Sequence, residues 1–230
     1  MEFLIAFVIM IAISFLFRNA IKKAPWVFYL IALLLSGLYI YSRFFAAYDP
    51  LIASIMVYPQ RGLLGMATFT IVMFIGVFGG NSRIRKWLEP IRAELSLIGS
   101  LLIAGHALGY LASYLQSLSP GLLSKPTVVI SLAVSLLLLM LLLILGITTL
   151  VAVRRRMDSS LWKRIQRLSY FFYGLVFVHL MLMLLPSAMQ GTGNSSISLA
   201  IYGGVLLVYL IARIRRAVLD KAAHKRAALA

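Results

Sequence analysis

Residues 126–152 read PTVVISLAVSLLLLMLLLILGITTLVA, and no Asp, Glu, Lys or Arg interrupts them. A helix of about 20 apolar residues crosses the ~30 Å hydrocarbon core of a bilayer. This stretch therefore predicts a transmembrane helix. The composition agrees, because 62% of the 230 residues are hydrophobic and 12% are charged, whereas soluble domains average about 45–50% and about 25%. A soluble enzyme and a disordered chain are excluded.

Six further apolar segments lie before and after this stretch in the sequence. The sequence therefore predicts an all-α membrane protein, a seven-span helical bundle. The predicted spans are Phe3–Phe17, Pro25–Phe45, Gly62–Gly80, Leu95–Leu118, Pro126–Ala152, Leu168–Leu185 and Ile197–Ala212. A shorter apolar piece, Leu51–Tyr58, lies between Pro50 and Pro59. Because it is too short to cross, we expect it to be interfacial or re-entrant.

The positive charges alternate from loop to loop. Of the 22 Lys and Arg residues, the loops predicted to lie outside hold only Arg43, Arg61 and Lys125. Cytoplasmic loops are the ones enriched in Lys and Arg. The pattern therefore predicts an N-terminus outside and a C-terminus inside. The net charge of +16 is therefore explained by the orientation of the chain in a lipid bilayer. No nucleic-acid partner is needed to explain it.

Two histidines, His106 and His179, lie inside predicted spans that contain no Asp, Glu, Lys or Arg. Ionisable residues at such positions are functional candidates. Each histidine follows the start of its span, Leu95 or Leu168, by the same number of residues. Both therefore lie about 16 Å along parallel helices, and we expect the two imidazoles to share a depth and to face each other.

Two neutral imidazoles facing each other across a bundle are what a six-coordinate haem iron requires. His106 and His179 are thus the predicted metal ligands, and haem is the predicted cofactor. Gly105 and Gly109 are expected to join the cofactor site by leaving room for a flat macrocycle. Two other interpretations stay open. The same glycine spacing is a helix-packing motif, and a membrane histidine often only hydrogen-bonds to a neighbouring helix.

Several other kinds of site are excluded or receive no support. The chain has no cysteine, which excludes a disulfide scaffold, zinc ribbons, iron–sulfur clusters and thiol nucleophiles. No phosphate-binding loop, dinucleotide fingerprint or carboxylate pair occurs, so no catalytic residue is predicted. His224 lies in a basic tail and has no predicted role. Each membrane histidine is expected to donate its second N–H to the carbonyl one turn earlier, at Leu102 or Leu175.

Short motifs from the second predicted span to the seventh carry a family resemblance. They are Asp49-Pro50, Arg61-Gly62, His106 to Tyr110, Ser124-Lys125-Pro126, Leu145 to Thr149, Trp162 to Tyr170 and Val178-His179-Leu180. On these residues the chain resembles the ferric reductase-like transmembrane domain family. Within that family it is most similar to the haem-binding membrane subunits of bacterial periplasmic methionine sulfoxide reductase systems.

The resemblance implies a b-type cytochrome of the bacterial inner membrane, an electron-transfer subunit of an oxidoreductase. Electrons would come from a quinol or a cytosolic flavin reductase and go to an extracytoplasmic redox protein, with a quinone as a second candidate cofactor. Residues 25–216 would form the family domain, residues 1–24 an extra transmembrane helix and residues 217–230 a basic tail.

The family ligands carry over to His106 and His179 only. Gln166 stands where the family usually has a further histidine, and Ala93 occupies the matching place before His106. One haem is therefore expected. Two other functions stay open: a non-redox membrane protein, such as a transporter subunit or assembly factor, whose histidines only pack, and a direct ferric reductase. No predicted outer loop offers a cluster of metal ligands for the latter.

Overall fold

The computed structural model describes residues 1–45, 50–117, 126–191 and 193–227, and these residues form helices joined by short turns. A 3₁₀ turn over Glu89–Ile91 precedes the seventh α-helix. In chain order the α-helices are α1 (Glu2–Leu16), α2 (Arg18–Lys23), α3 (Pro25–Phe45), α4 (Pro50–Gln60), α5 (Leu63–Ile75), α6 (Arg83–Leu88), α7 (Arg92–Ser117), α8 (Pro126–Thr149), α9 (Val151–Arg154), α10 (Ser159–Met189) and α11 (Ser195–Ala227).

Helix α7 is the centre of the bundle. It packs against α3, α5 and α8, while α10 packs against α8 and α11. Leu95, Ile98 and Leu102 are buried on one face of α7, at the three- and four-residue spacing of a helix stripe. The same core includes buried residues of α1 and α5, such as Met10 and Ala67. The apolar stripe of α7 therefore joins the first half of the chain into one packing unit.

Five helical segments of the described chain are long and apolar enough to cross a membrane. They are Pro25–Phe45, Arg83–Gln116, Pro126–Thr149, Ser159–Met189 and Ser195–Ala222. The protein is therefore an all-α membrane protein. Two of the helices expected to span, α1 and α5, have only 15 and 13 residues. The count of seven spans stays a prediction.

Helix α5 is shorter than expected because glycine ends it. The apolar run continues to Gly80, but the helix stops at Ile75, and the N–H of Gly76 bonds to the carbonyl of Met73 at 3.2 Å. Thirteen residues rise only about 20 Å. Most of α5 is enclosed by protein, with Thr68 and Thr70 wholly buried, so this helix does not need to match the thickness of the lipid.

Helix α10 begins well before the predicted span at Leu168 because Asp158 caps it. The Asp158 carboxylate accepts hydrogen bonds from the N–H groups of Ser160 and Leu161 at 2.8 and 3.0 Å, which satisfies two of the free donors at the helix start. Hydrogen bonds from the Ser160 hydroxyl and from these amides hold the pKa of Asp158 below its usual range.

The regions near both ends of the chain are helical, and the division predicted at residues 24 and 217 stays a prediction. Helix α11 continues without a break past that boundary to Ala227. Helix α1 packs on α5, the Phe3 ring lies 4.8 Å from the Tyr202 ring, and Glu2 forms an ion pair with Arg61. The first helix therefore belongs to the same packing unit as the rest of the bundle.

Candidate haem-ligand site

The structure brings the two membrane histidines together. His106 lies in the middle of α7, and His179 lies in α10, where both helices pack against α8. The centroids of the two imidazole rings are 6.5 Å apart, with the ring planes at 84°. Both side chains are half-buried. Two residues separated by 73 positions in the chain thus share one depth in the bundle.

The end of α4 holds the His106 ring. His106 Nδ1 lies 2.7 Å from the backbone carbonyl oxygen of Gln60, the last residue of α4. The last carbonyls of a helix have no partner within it, so this oxygen is free to accept from outside. The piece predicted as interfacial or re-entrant, Leu51–Tyr58, is thus part of a helix that positions the imidazole.

Gly62 allows this contact. Its φ of 65° is left-handed, a conformation that glycine adopts at no steric cost. A Cβ at this position would lie 2.9 Å from Ile103 Cδ1 and 3.3 Å from His106 Cγ. The turn from α4 into α5 therefore requires a residue without a side chain beside the imidazole.

A hydroxyl of α8 holds the His179 ring. His179 Nδ1 lies 3.3 Å from Ser135 Oγ, and the Ser135 hydroxyl donates to the carbonyl of Ser131 at 2.8 Å. Because the hydroxyl proton is used in that bond, Ser135 Oγ accepts from His179. The expected partners Leu102 and Leu175 are replaced by Gln60 and Ser135.

Both neutral imidazoles consequently carry their proton on Nδ1. The carbonyl of Gln60 can only accept, so His106 Nδ1 must be the donor, and we assign the same tautomer to His179 from the bond that the Ser135 hydroxyl makes to Ser131. Each Nε2 then keeps its lone pair. Ligating histidines in metal sites are oriented in this way, with the second ring nitrogen bonded to an outer partner.

The spacing of the rings suits one metal ion between them. With metal–imidazole bonds of about 2.0–2.1 Å, two imidazoles on opposite sides of one ion have ring centroids roughly 6–6.5 Å apart. The observed separation is 6.5 Å. The described residues contain no group of three or more His, Cys, Asp or Glu side chains that could hold a metal ion. The donor set, two imidazoles, is the axial set of a b-type haem.

The two glycines beside His106 pack against α3. A Cβ at Gly105 would lie 2.7 Å from Ser36 Cβ, and a Cβ at Gly109 would lie 2.8 Å from Tyr39 Cε1. The hydroxyl of Ser36 also donates to the carbonyl of Leu101 on α7 at 2.8 Å. The space expected for a macrocycle on this face of α7 is therefore filled by α3, and the helix-packing interpretation describes these glycines.

The end of the bundle around Gln166 has no second imidazole pair among the described residues. Gln166 donates through Nε2 to the hydroxyl oxygen of Thr148 at 3.0 Å. A cavity of about 30 Å³ lies beside it, with Ser96, Ser100 and Ser169 among its lining residues. This volume holds about one or two water molecules, far less than a porphyrin requires. His224 lies on α11, far along the chain from the pair.

Comparisons with known proteins find one relevant similarity. No protein-family model matches the chain, and no solved structure matches it. The chain is 40% identical over 154 residues to an uncharacterized protein of Treponema pallidum (strain Nichols). The matched region covers 66% of this chain and 42% of that protein, so the chain spans less than half the length of this relative.

Proposed function

We propose that this protein is a membrane-embedded b-type cytochrome in which His106 and His179 would hold one haem b. The observation that supports this most is the pair of imidazoles 6.5 Å apart, each with its Nδ1 against an oxygen. Bound haem would supply reversible one-electron transfer inside the bilayer.

The chain itself would fix the ligands. Gln60 and Ser135 hold the two rings by their Nδ1 atoms, which selects the tautomer that leaves Nε2 available and raises its basicity. Helices α7 and α10 hold the rings on rigid elements, so little conformational entropy is lost when a ligand bond forms. Gly62 keeps the α4–α5 turn close enough for the Gln60 contact.

The partners and the orientation follow from the resemblance and from the charges. We place the chain in the ferric reductase-like transmembrane domain family, in a bacterial inner membrane, with seven spans. A quinol or a cytosolic flavin reductase would donate electrons, and an extracytoplasmic redox protein would accept them. The distribution of Lys and Arg supports an N-terminus outside and a C-terminus inside.

A visible spectrum of the purified protein tests the proposal. We expect a sharp reduced-minus-oxidised band of a low-spin b-type haem. A colourless preparation from cells with sufficient haem would contradict it. That result would favour a non-redox membrane protein in which the Nδ1 contacts of His106 and His179 serve only to pack helices.

The haem content should be one per chain. Only one imidazole pair lies among the described residues, and Gln166 is engaged with Thr148 beside a cavity of about 30 Å³. An amide does not replace imidazole as an axial ligand. Haem extraction with protein quantitation measures the ratio. A ratio near two in the isolated protein would contradict the single site.

The orientation can be measured with reporters at the two ends. We expect a fusion after Ala230 to report the cytoplasm and a fusion before Met1 to report the opposite side, because few Lys and Arg residues lie in the predicted outer loops. At each end, one reporter that is active only in the cytoplasm and one that is active only in the periplasm are fused in separate experiments, and each serves as the control for the other. Both ends on one side would show that α1 or α5 does not cross.

A further inference from the structure

The loop after α5 is surrounded by arginines. Residues 76–82 join α5 to α6, and two guanidinium groups donate to the loop backbone. Arg213 Nη1 donates to the carbonyl of Gly76, and Arg85 Nη1 donates to the carbonyl of Phe78, each at 3.3 Å. The N–H groups of Gly79 and Gly80 donate to no acceptor within the described chain. These unpaired backbone N–H groups therefore lie close to the guanidinium groups.

Arg216 brings an unsatisfied donor to the same loop. Its Nη2 is paired with Asp220 at 2.6 Å, but its Nε is buried and has no hydrogen-bond partner among the described residues. A Cβ at Gly79 would lie 3.2 Å from Arg216 Nη1, so the guanidinium lies directly against the loop. A buried donor without an acceptor is costly, and an acceptor from outside the chain would remove that cost.

A second unsatisfied donor lies on the same face of α11. The hydroxyl of Tyr209 is buried and has no hydrogen-bond partner in the part of the chain that the structure describes, and its ring lies 5.6 Å from the ring of Phe74 at the end of α5. Tyr209, Arg213 and Arg216 follow one another at four and three residues, which places them on one face of the helix. This face points to the loop.

Positive charge dominates this end of the bundle. Along residues 76–94 and 209–220 the basic side chains outnumber the acidic ones, and two of the three acids, Glu89 and Asp220, are already paired with Arg85 and Arg216. Among the described residues, the guanidinium of Arg213 has a phenol and a carbonyl as partners but no carboxylate. The region therefore has unneutralised cations.

We propose that the loop 76–82, Arg213 and Arg216 form a binding site for a phosphate group. Phosphate oxygens accept from guanidinium groups in strong, charge-assisted hydrogen bonds. Glycines let an anion approach backbone N–H groups closely. Gly80 is exposed, so the site is open to its surroundings.

The phosphate site is separate from the histidine pair. Arg92 Nη2 lies 3.9 Å from a Cβ built at Gly76, which places the start of α7 beside the loop. His106 is about 21 Å further along α7. The inference therefore does not depend on haem. The phosphate could belong to an anionic lipid headgroup or to a soluble phosphate compound, and both offer the same oxygens.

Two probes distinguish these sources in the purified full chain. Titration calorimetry with inorganic phosphate, in a zwitterionic detergent, tests a soluble ligand. Native mass spectrometry from a phosphate-free detergent, with and without added phosphatidylglycerol, tests a lipid headgroup. We expect saturable binding of one equivalent in at least one arm, and R216K and R213Q to weaken it about tenfold or more through lost hydrogen bonds. R216K retains the charge but lacks Nε.

The matched control is R215Q, an exposed arginine on the same helix, which should bind as the wild type does. Because R213Q removes two bonds that the fold uses, G79A provides a variant that keeps every charge and moves only Arg216. We expect G79A to weaken binding with an unchanged melting temperature. No saturable binding of either probe, or an equal loss in R215Q and R216K, would overturn the phosphate site.

Discussion

We expect that replacing His106 or His179 with Ala would remove most of the haem from the purified protein, because in the proposed site each substitution deletes one of the two imidazoles that would hold the cofactor between α7 and α10. Loss of a ligand changes coordination as well as affinity, so any haem that remains should lose its low-spin spectrum. The measurement is haem per protein after purification, together with the reduced-minus-oxidised spectrum.

His224→Ala is the matched control, since it removes an imidazole from a residue of α11 outside the predicted spans. We expect its haem content and spectrum to equal those of the wild type. A full complement of low-spin haem in H106A or in H179A would show that another residue is the ligand. The melting temperature of each variant, measured without haem, separates loss of the ligand from loss of the fold.

Gly105→Ala and Gly109→Ala each destabilise the bundle by about 1–3 kcal/mol, the usual cost of overpacking. The new methyl group at Gly105 meets Ser36 Cα at 2.9 Å, and a backbone atom cannot rotate away. At Gly109 the methyl group meets the ring of Tyr39, which is 1% exposed. Thermal unfolding in detergent, followed by circular dichroism, measures the effect.

Gly37→Ala and Gly174→Ala are matched controls in helices α3 and α10. A Cβ at either glycine meets no atom within 4 Å, and alanine favours a helix over glycine by roughly 1 kcal/mol. We expect both variants to be as stable as the wild type or slightly more stable. Equal melting temperatures for G105A and G37A would contradict the close packing of α7 on α3.

The sequence is enough to predict those helices and positions that depend only on residues close together in the chain. The uncharged run 126–152 predicts α8 to within a few residues, since 24 of its residues form the helix. The shared depth of His106 and His179 follows from counting residues from the start of two spans that are predicted to cross the membrane in the same direction. The structure places their rings 6.5 Å apart. Periodicity and helix rise carry this information without any tertiary contact.

The rest depends on contacts between distant parts of the chain. Gly105 and Gly109 have one sequence pattern and two interpretations, and only the position of α3 decides between them. Ser135 has a weak signal, because it follows Ser131 by one helical turn in an otherwise apolar run. The early end of α5 follows from Gly76, yet glycine also occurs inside membrane helices, as Gly146 does in α8.

The acceptor of His106 belongs to the main chain, and this has a consequence for genetic screens. No substitution at position 60 removes a carbonyl oxygen, so a mutational scan would score Gln60 as tolerant even if its oxygen orients the imidazole. Ser135, whose contact uses a side-chain atom, would be detected by the same scan. At position 62, a Cβ would meet Ile103 and His106, so we expect substitutions there to be harmful. Harmless substitutions at position 60 together with harmful ones at position 62 would identify a backbone contact that neither position identifies alone.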